Sequence, residues 1–208
     1  MSPLTFTLLS DGSSDRALLP VLQWLLRELS ARDFEPQWAD LRALREPPKG
    51  LADRIRTAVK LYPCDLLFVH RDAEGETLKN RAEEVRKHLR VVPEQTAVCV
   101  IPVRMLEAWL LLDETALRTA ADNPKGRVVL GMPALDRLEE ISDPKRLLFE
   151  LLETASGLRA GRLHRFHPAA RVHRLAELIP DFSPLRRLFA FQTLQEDLET
   201  VLVERRWK

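Results

Sequence analysis

Four short stretches are apolar or alternate apolar with polar residues. They are Leu4–Leu9 (LTFTLL), Phe34–Leu41, Leu66–Val69 and Ala97–Val103 (AVCVIPV). Runs of this length between turn formers predict strands. Between them the period becomes helical. Ala17–Leu29 places Leu18, Leu22, Leu25, Leu26 and Leu29 on one face, with Ser13 or Ser14 as N-cap and Asp15 in the first turn. Pro20, which has no N–H to donate, starts the regular part of that helix or bends it. Leu51–Leu61 and Leu78–Leu89 are amphipathic and charge-laced, as helices covering a sheet are. The alternation predicts an α/β fold: a mainly parallel central sheet of about four strands, flanked by helices and joined by right-handed crossovers.

Beyond Met105 the pattern turns helical. MLEAWLLLDETALRTAA predicts one continuous helix, and ADNPKGRVVLGMP, with its glycines and prolines, predicts a loop. Pro144–Thr154, Ala169–Leu178 and Leu185–Val203 each carry one apolar face. Residues 1–121 are therefore expected to form the α/β core, and 122–208 a helical extension packed on it.

Composition narrows the class. The 208 residues are 45% hydrophobic and 30% charged, enough for one substantial core. The net charge of +1 argues neither for nor against nucleic acid. Cys64 and Cys99 lie beside strand-like runs and read as buried thiols in a reducing cytosol. MSPLTFTLLSDG lacks the pattern of a signal peptide, and no apolar run reaches membrane-spanning length, so a cytoplasmic protein with no membrane partner is expected.

The candidate chemistry lies where strands end. The first strand runs into Asp11-Gly12 and the third into Asp72-Ala73-Glu74 (LLFVHRDAEGE). In a parallel sheet all strands end on one side, and ligands bind in the crevice beyond those ends. Asp11, Asp72 and Glu74 are therefore expected to converge, with Asp72 and Glu74 pointing the same way along an extended chain. Crowded carboxylates repel unless a cation neutralises them, and oxygen ligands suit Mg²⁺ or Mn²⁺. The plain alternative is an Asx turn at Asp11 and a solvated loop at Asp72–Glu76.

These motifs resemble the Toprim domain of topoisomerases, primases, small recombination proteins and OLD-family nucleases. They are more similar still to a family of small bacterial proteins with a Toprim-like domain of unknown function, often encoded beside ATPases in mobile or defence-related loci. That family's pattern is an E-G-x-[ST]-[DE] turn, a D-x-D-like strand end and a motif near E-A-W-L-L. Its counterparts here are DGSSD at Asp11–Asp15, RDAEG at Arg71–Gly75 and EAWLL at Glu107–Leu111, followed by SDPK at Ser142–Lys145 and SPLRRLFAFQTL at Ser183–Leu194. The resemblance implies that Asp11 assists proton transfer or helps hold a metal, and that Asp72 and Glu74 hold Mg²⁺ beside a phosphodiester. Two positions depart from the pattern: the usual Glu is Asp11, and the second acid of D-x-D is Glu74.

Glu107 has two readings: an acid at the rim of the metal site, catalytic with Asp11, or a first-turn Glu favouring the helix dipole. Between Arg159 and Arg187 seven arginines face two acids, with Arg159, Arg162, Arg165, Arg171 and Arg174 leading. That tract is either a nucleic-acid interface, with Phe166 as a stacking surface, or a solvated face. His164, His167 and His173 match no zinc spacing, and His70 reads as packed. Trp24, Trp38 and Trp109 read as core.

The expectation is a Mg²⁺-dependent (or Mn²⁺-dependent) protein that processes phosphodiesters in DNA or RNA, a nuclease or nuclease subunit in a bacterial phage-defence or mobile-element system. The alternative is a non-catalytic partner or regulatory module of an ATPase. A Rossmann-like nucleotide binder ranks last, because neither G-x-G-x-x-G nor a P-loop occurs.

Overall fold

In the computed structural model, which describes residues 2–208, the four strands form one parallel sheet in the order β2-β1-β3-β4. They are β1 (Leu4–Leu9), β2 (Phe34–Trp38), β3 (Leu66–His70) and β4 (Ala97–Val100). This four-stranded all-parallel architecture, flanked by helices, agrees with the expected α/β, Toprim-like class. Central β3 is buried along its whole length, hence its unbroken apolar run. β2 lies at an edge, where Pro36 costs no ladder bond on its free side.

The connections explain which helix covers which face. The chain steps from β1 to β2 in one direction, then returns past β1 to β3 and β4 in the other. Right-handed crossovers then demand opposite faces for the two directions. Accordingly α1 (Leu18–Leu29) packs with Phe6, Leu8, Leu66 and Phe68 in one hydrophobic cluster. The helices α2 (Leu51–Leu61) and α3 (Leu78–Leu89) pack with Leu9, Leu67, Val69 and Cys99 in the other.

The α1 face is also where the second half of the chain sits. It comprises α4 (Glu114–Ala120), α5 (Pro144–Ser156), α6 (Ala160–Leu163), α7 (Val172–Leu178) and α8 (Phe189–Glu204). Leu148, Leu152, Leu175, Phe191 and Leu198 share one cluster with the sheet residues, so the core runs through both halves. Trp109 is fully buried with its ring edge-on to Phe191 at 5.3 Å, whereas Trp24 and Trp38 are only half-buried.

Two local expectations are corrected. MLEAWLLLDETALRTAA is not one helix: Leu106–Leu110 is a 3-10 turn, and α4 begins afresh after Asp113, whose carboxylate accepts the Ala116 N–H at 2.8 Å. Neither Ser13 nor Ser14 caps the first helix through its side chain. Ser14–Ala17 is a 3-10 turn leading into α1, and the Asp15 carboxylate reaches back to the Gly12 N–H at 2.6 Å. Pro20 lies in the first turn of α1, where its missing N–H has no partner to lose.

Candidate functional site

The direction of the sheet changes between β1 and β3, so the crevice at the carboxyl ends of these two strands is the topological switch point. Asp11 and Asp72 both follow those strands, but strand parity separates their side chains. Leu9 pairs with Val69 in the parallel register. Two residues on, Asp11 lies level with Arg71, and both continue the parity that faces α2 and α3. Asp72 continues the parity of Phe68 and His70, which faces α1.

On the α2 side, Asp11 is paired with the Arg54 guanidinium and, at 3.2 Å, with Arg71 Nε. Arg54 also donates to the Ser10 carbonyl. The expected convergence of Asp11 on Asp72 is thus corrected: two arginines take its carboxylate on the opposite face.

Glu74 is corrected as well. The chain does not stay extended after Asp72, because Glu74 adopts a left-handed φ of 53° in a turn closed by the Glu76 N–H on the Ala73 carbonyl at 2.9 Å. Its side chain is exposed to solvent.

On the α1 side a different set assembles. Asp72 accepts the Leu106 N–H at 3.1 Å, which pins the Leu106–Leu110 turn to the tip of β3 and brings Glu107 into the buried region behind it. His70 is buried, its Nδ1 3.0 Å from the Val100 carbonyl and its Nε2 3.5 Å from Asp72 Oδ1. Burial pushes the Asp72 carboxyl up from 3.8 to about 6; Glu107 and Asp15 push the same way, while His70 and the Leu106 N–H oppose them. Asp72, Glu107 and Asp15 are therefore the electrostatically coupled acids.

Glu107 is only 2% exposed and, among the described residues, has one cationic partner, Lys145 Nζ, 3.5 Å from Oε1. Lys145 occupies the first turn of α5, the end where the helix dipole disfavours a cation. Glu107 is the interaction that accounts for a lysine there. Among the described residues, no three His, Cys, Asp or Glu side chains stand close enough to hold a metal ion on their own. A Mg²⁺ bound through one or two carboxylates, with substrate phosphate and water completing the shell, asks less of the protein. The donor chemistry of Asp72 and Glu107 meets that smaller requirement.

The five candidate arginines of the basic tract divide. Arg171 and Arg174 each lie 2.7 Å from Asp122, and Arg171 also stacks over Phe166. Arg159, Arg162 and Arg165 are exposed, without an acidic partner among the described residues. They lie beyond the C-terminal end of α5, whereas Lys145 is in its first turn, so roughly 20 Å of helix separates them from Glu107. His173 pairs with Glu177 at 3.3 Å.

In the sequence Asp15 stands out as a first-turn acid and as the last residue of DGSSD, whereas Arg54, Arg71 and Lys145 have no expected role. Lys145 carried a signal, a cation misplaced at a helix start; Arg71 carried none, because its place beside Asp11 depends on the strand register. No protein-family model, curated protein or solved structure matches the chain. Among the described residues no helix is long and apolar enough to cross a membrane.

Proposed function

We propose that this protein binds nucleic acid at the β1/β3 crevice and acts on phosphodiester bonds with a divalent cation, as a nuclease or nuclease subunit. The observation that carries the reading is the Asp72 carboxyl. It sits at the switch point, is pushed up to about 6 and is crowded by Glu107 and Asp15, a condition that a cation relieves. Asp72 and Glu107 would hold Mg²⁺ or Mn²⁺, which when bound would polarise the phosphoryl oxygen. The chain's own contribution is positional. The Leu106 N–H fixes the rotamer of Asp72, His70 beside it favours the ionised carboxylate, and Lys145 holds Glu107 ready at the edge of the cluster. Arg159, Arg162 and Arg165 supply a cationic surface for a DNA or RNA backbone.

The test is incubation of labelled DNA and RNA with the protein in Mg²⁺ or Mn²⁺, beside Asp72→Asn and Glu107→Gln. Cleavage by the native chain that falls at least about 100-fold in Asp72→Asn is expected; equal behaviour of native and variant chains removes the reading. A second reading, a non-catalytic partner module of an ATPase, draws on the internal pairing of Glu107 with Lys145 and of Asp11 with two arginines. Co-purification with an ATPase, together with no metal binding by calorimetry, favours it.

A further inference from the structure

We infer that Arg54, Arg71 and Lys49 form a site for a phosphate monoester, the 5′-phosphorylated end of a nucleic-acid strand, and that Asp11 is a built-in placeholder which the phosphate displaces. For its nucleic-acid source the inference rests on the function proposed above. Its chemistry belongs to the opposite face of the crevice.

Two guanidiniums converge on the single carboxylate of Asp11, which is 48% exposed and so within reach of a ligand. The arginines themselves are enclosed, at 17% exposure for Arg54 and 27% for Arg71, so they cannot simply turn away into water. Planar guanidinium forks of this kind match phosphate oxygens as well as they match a carboxylate. Beside them, at the carboxyl ends of β1 and β2, lies a cavity of about 210 Å³ lined by Ser10, Asp11, Trp38, Arg42, Lys49 and Arg54. Parallel sheets take ligands at these ends.

Charge selects the ligand. Arg42 is spent on Asp40 through two hydrogen bonds of 2.8 and 2.9 Å. Lys49 is exposed and has no acidic partner among the described residues. Arg54, Arg71 and Lys49 against Asp11 leave an excess of two positive charges. A phosphate monoester carries about −1.5 to −2 at neutral pH and balances that excess, whereas a phosphodiester carries only one charge. Trp38, held by its Nε1–H on Ser10 Oγ at 3.1 Å and covered by the Arg42 guanidinium 5.1 Å from its ring centroid, forms one wall of the cavity.

The experiment is anisotropy titration of the full chain, in EDTA at fixed salt, with a 3′-labelled DNA oligonucleotide bearing either a 5′-phosphate or a 5′-hydroxyl. Inorganic phosphate serves as competitor. Without metal no cleavage occurs, so failure here and failure of the nuclease reading are separate results. The phosphorylated strand is expected to bind at least about 10-fold tighter. Arg71→Gln and Lys49→Gln should abolish that preference, and Asp11→Asn should increase it. Lys49 is exposed, so its variant keeps the test valid if an arginine variant fails to fold. Inorganic phosphate competing as strongly as the phosphorylated strand keeps the phosphate site and makes its source a small anion. Equal binding of the two strands without competition by phosphate overturns the inference, as does a loss of binding in Asp11→Asn.

Discussion

Asp72→Asn should stabilise the fold at neutral pH. The Asp72 carboxyl is pushed up to about 6, against 3.8 ordinarily, because desolvation and the fields of Glu107 and Asp15 disfavour its ionised form. Between those two values the folded state holds more protons than the unfolded chain, so stability falls as pH rises from about 4 to 6 and is flat above. At about 1.4 kcal/mol per tenfold, the rise from 3.8 to about 6 is worth about 3 kcal/mol lost by pH 7. Asparagine keeps an oxygen to accept the Leu106 N–H and carries no charge to desolvate. Urea unfolding from pH 4 to 8 should therefore show the native chain losing about 2–3 kcal/mol relative to the variant across the same window. Parallel pH profiles for the two chains, or a variant weaker at pH 7, would refute the claim that half-buried Asp72 is held among repelling acids.

Three further outcomes follow from named contacts. Lys145→Met leaves Glu107 buried without a cation and should cost about 1–2 kcal/mol in urea unfolding, most of it recovered by adding Glu107→Gln. Glu139 accepts the Phe189 and Ala190 N–H groups at 3.1 and 2.9 Å, capping α8 from outside the helix, so Glu139→Ala should cost about 1 kcal/mol in the same assay. Replacing Arg159, Arg162 and Arg165 with Gln should weaken oligonucleotide binding and reduce the salt dependence of log K by about 2 to 3, with little sequence preference lost; an unchanged slope refutes the cationic interface.

The elements that the chain announces are those whose burial matches one simple period. Leu66–Val69 is covered on both faces and reads as an unbroken apolar run; Leu51–Leu61 and Leu78–Leu89 face the sheet on one side and show it. The stretch after Met105 misleads because Leu106–Leu111 is buried on all sides and, Glu107 apart, apolar: no helical period shows there to betray the break before Glu114, and only the N-cap Asp113 marks the new start. The site was half legible. That Asp11 and Asp72 reach the same crevice follows from parallel strands, but which face each takes depends on register, and Leu9 opposite Val69 is a tertiary fact. Glu74 defeated the extended-chain expectation because a positive φ at a non-glycine residue has no local signature. Asp15 and Glu107 became partners of Asp72 only through the docking of two 3-10 turns.

The central claim is that the acids behind the tip of β3 form a cation site once phosphate is present. A crystal grown with an oligonucleotide and soaked in Mn²⁺, with anomalous data collected at the manganese edge, tests it most directly. The account predicts one strong peak about 2.2 Å from an Asp72 oxygen, shared with Glu107 and bridged to a strand phosphate. A strand lying in the crevice with no anomalous peak there, and Lys145 still seated on Glu107, would contradict it.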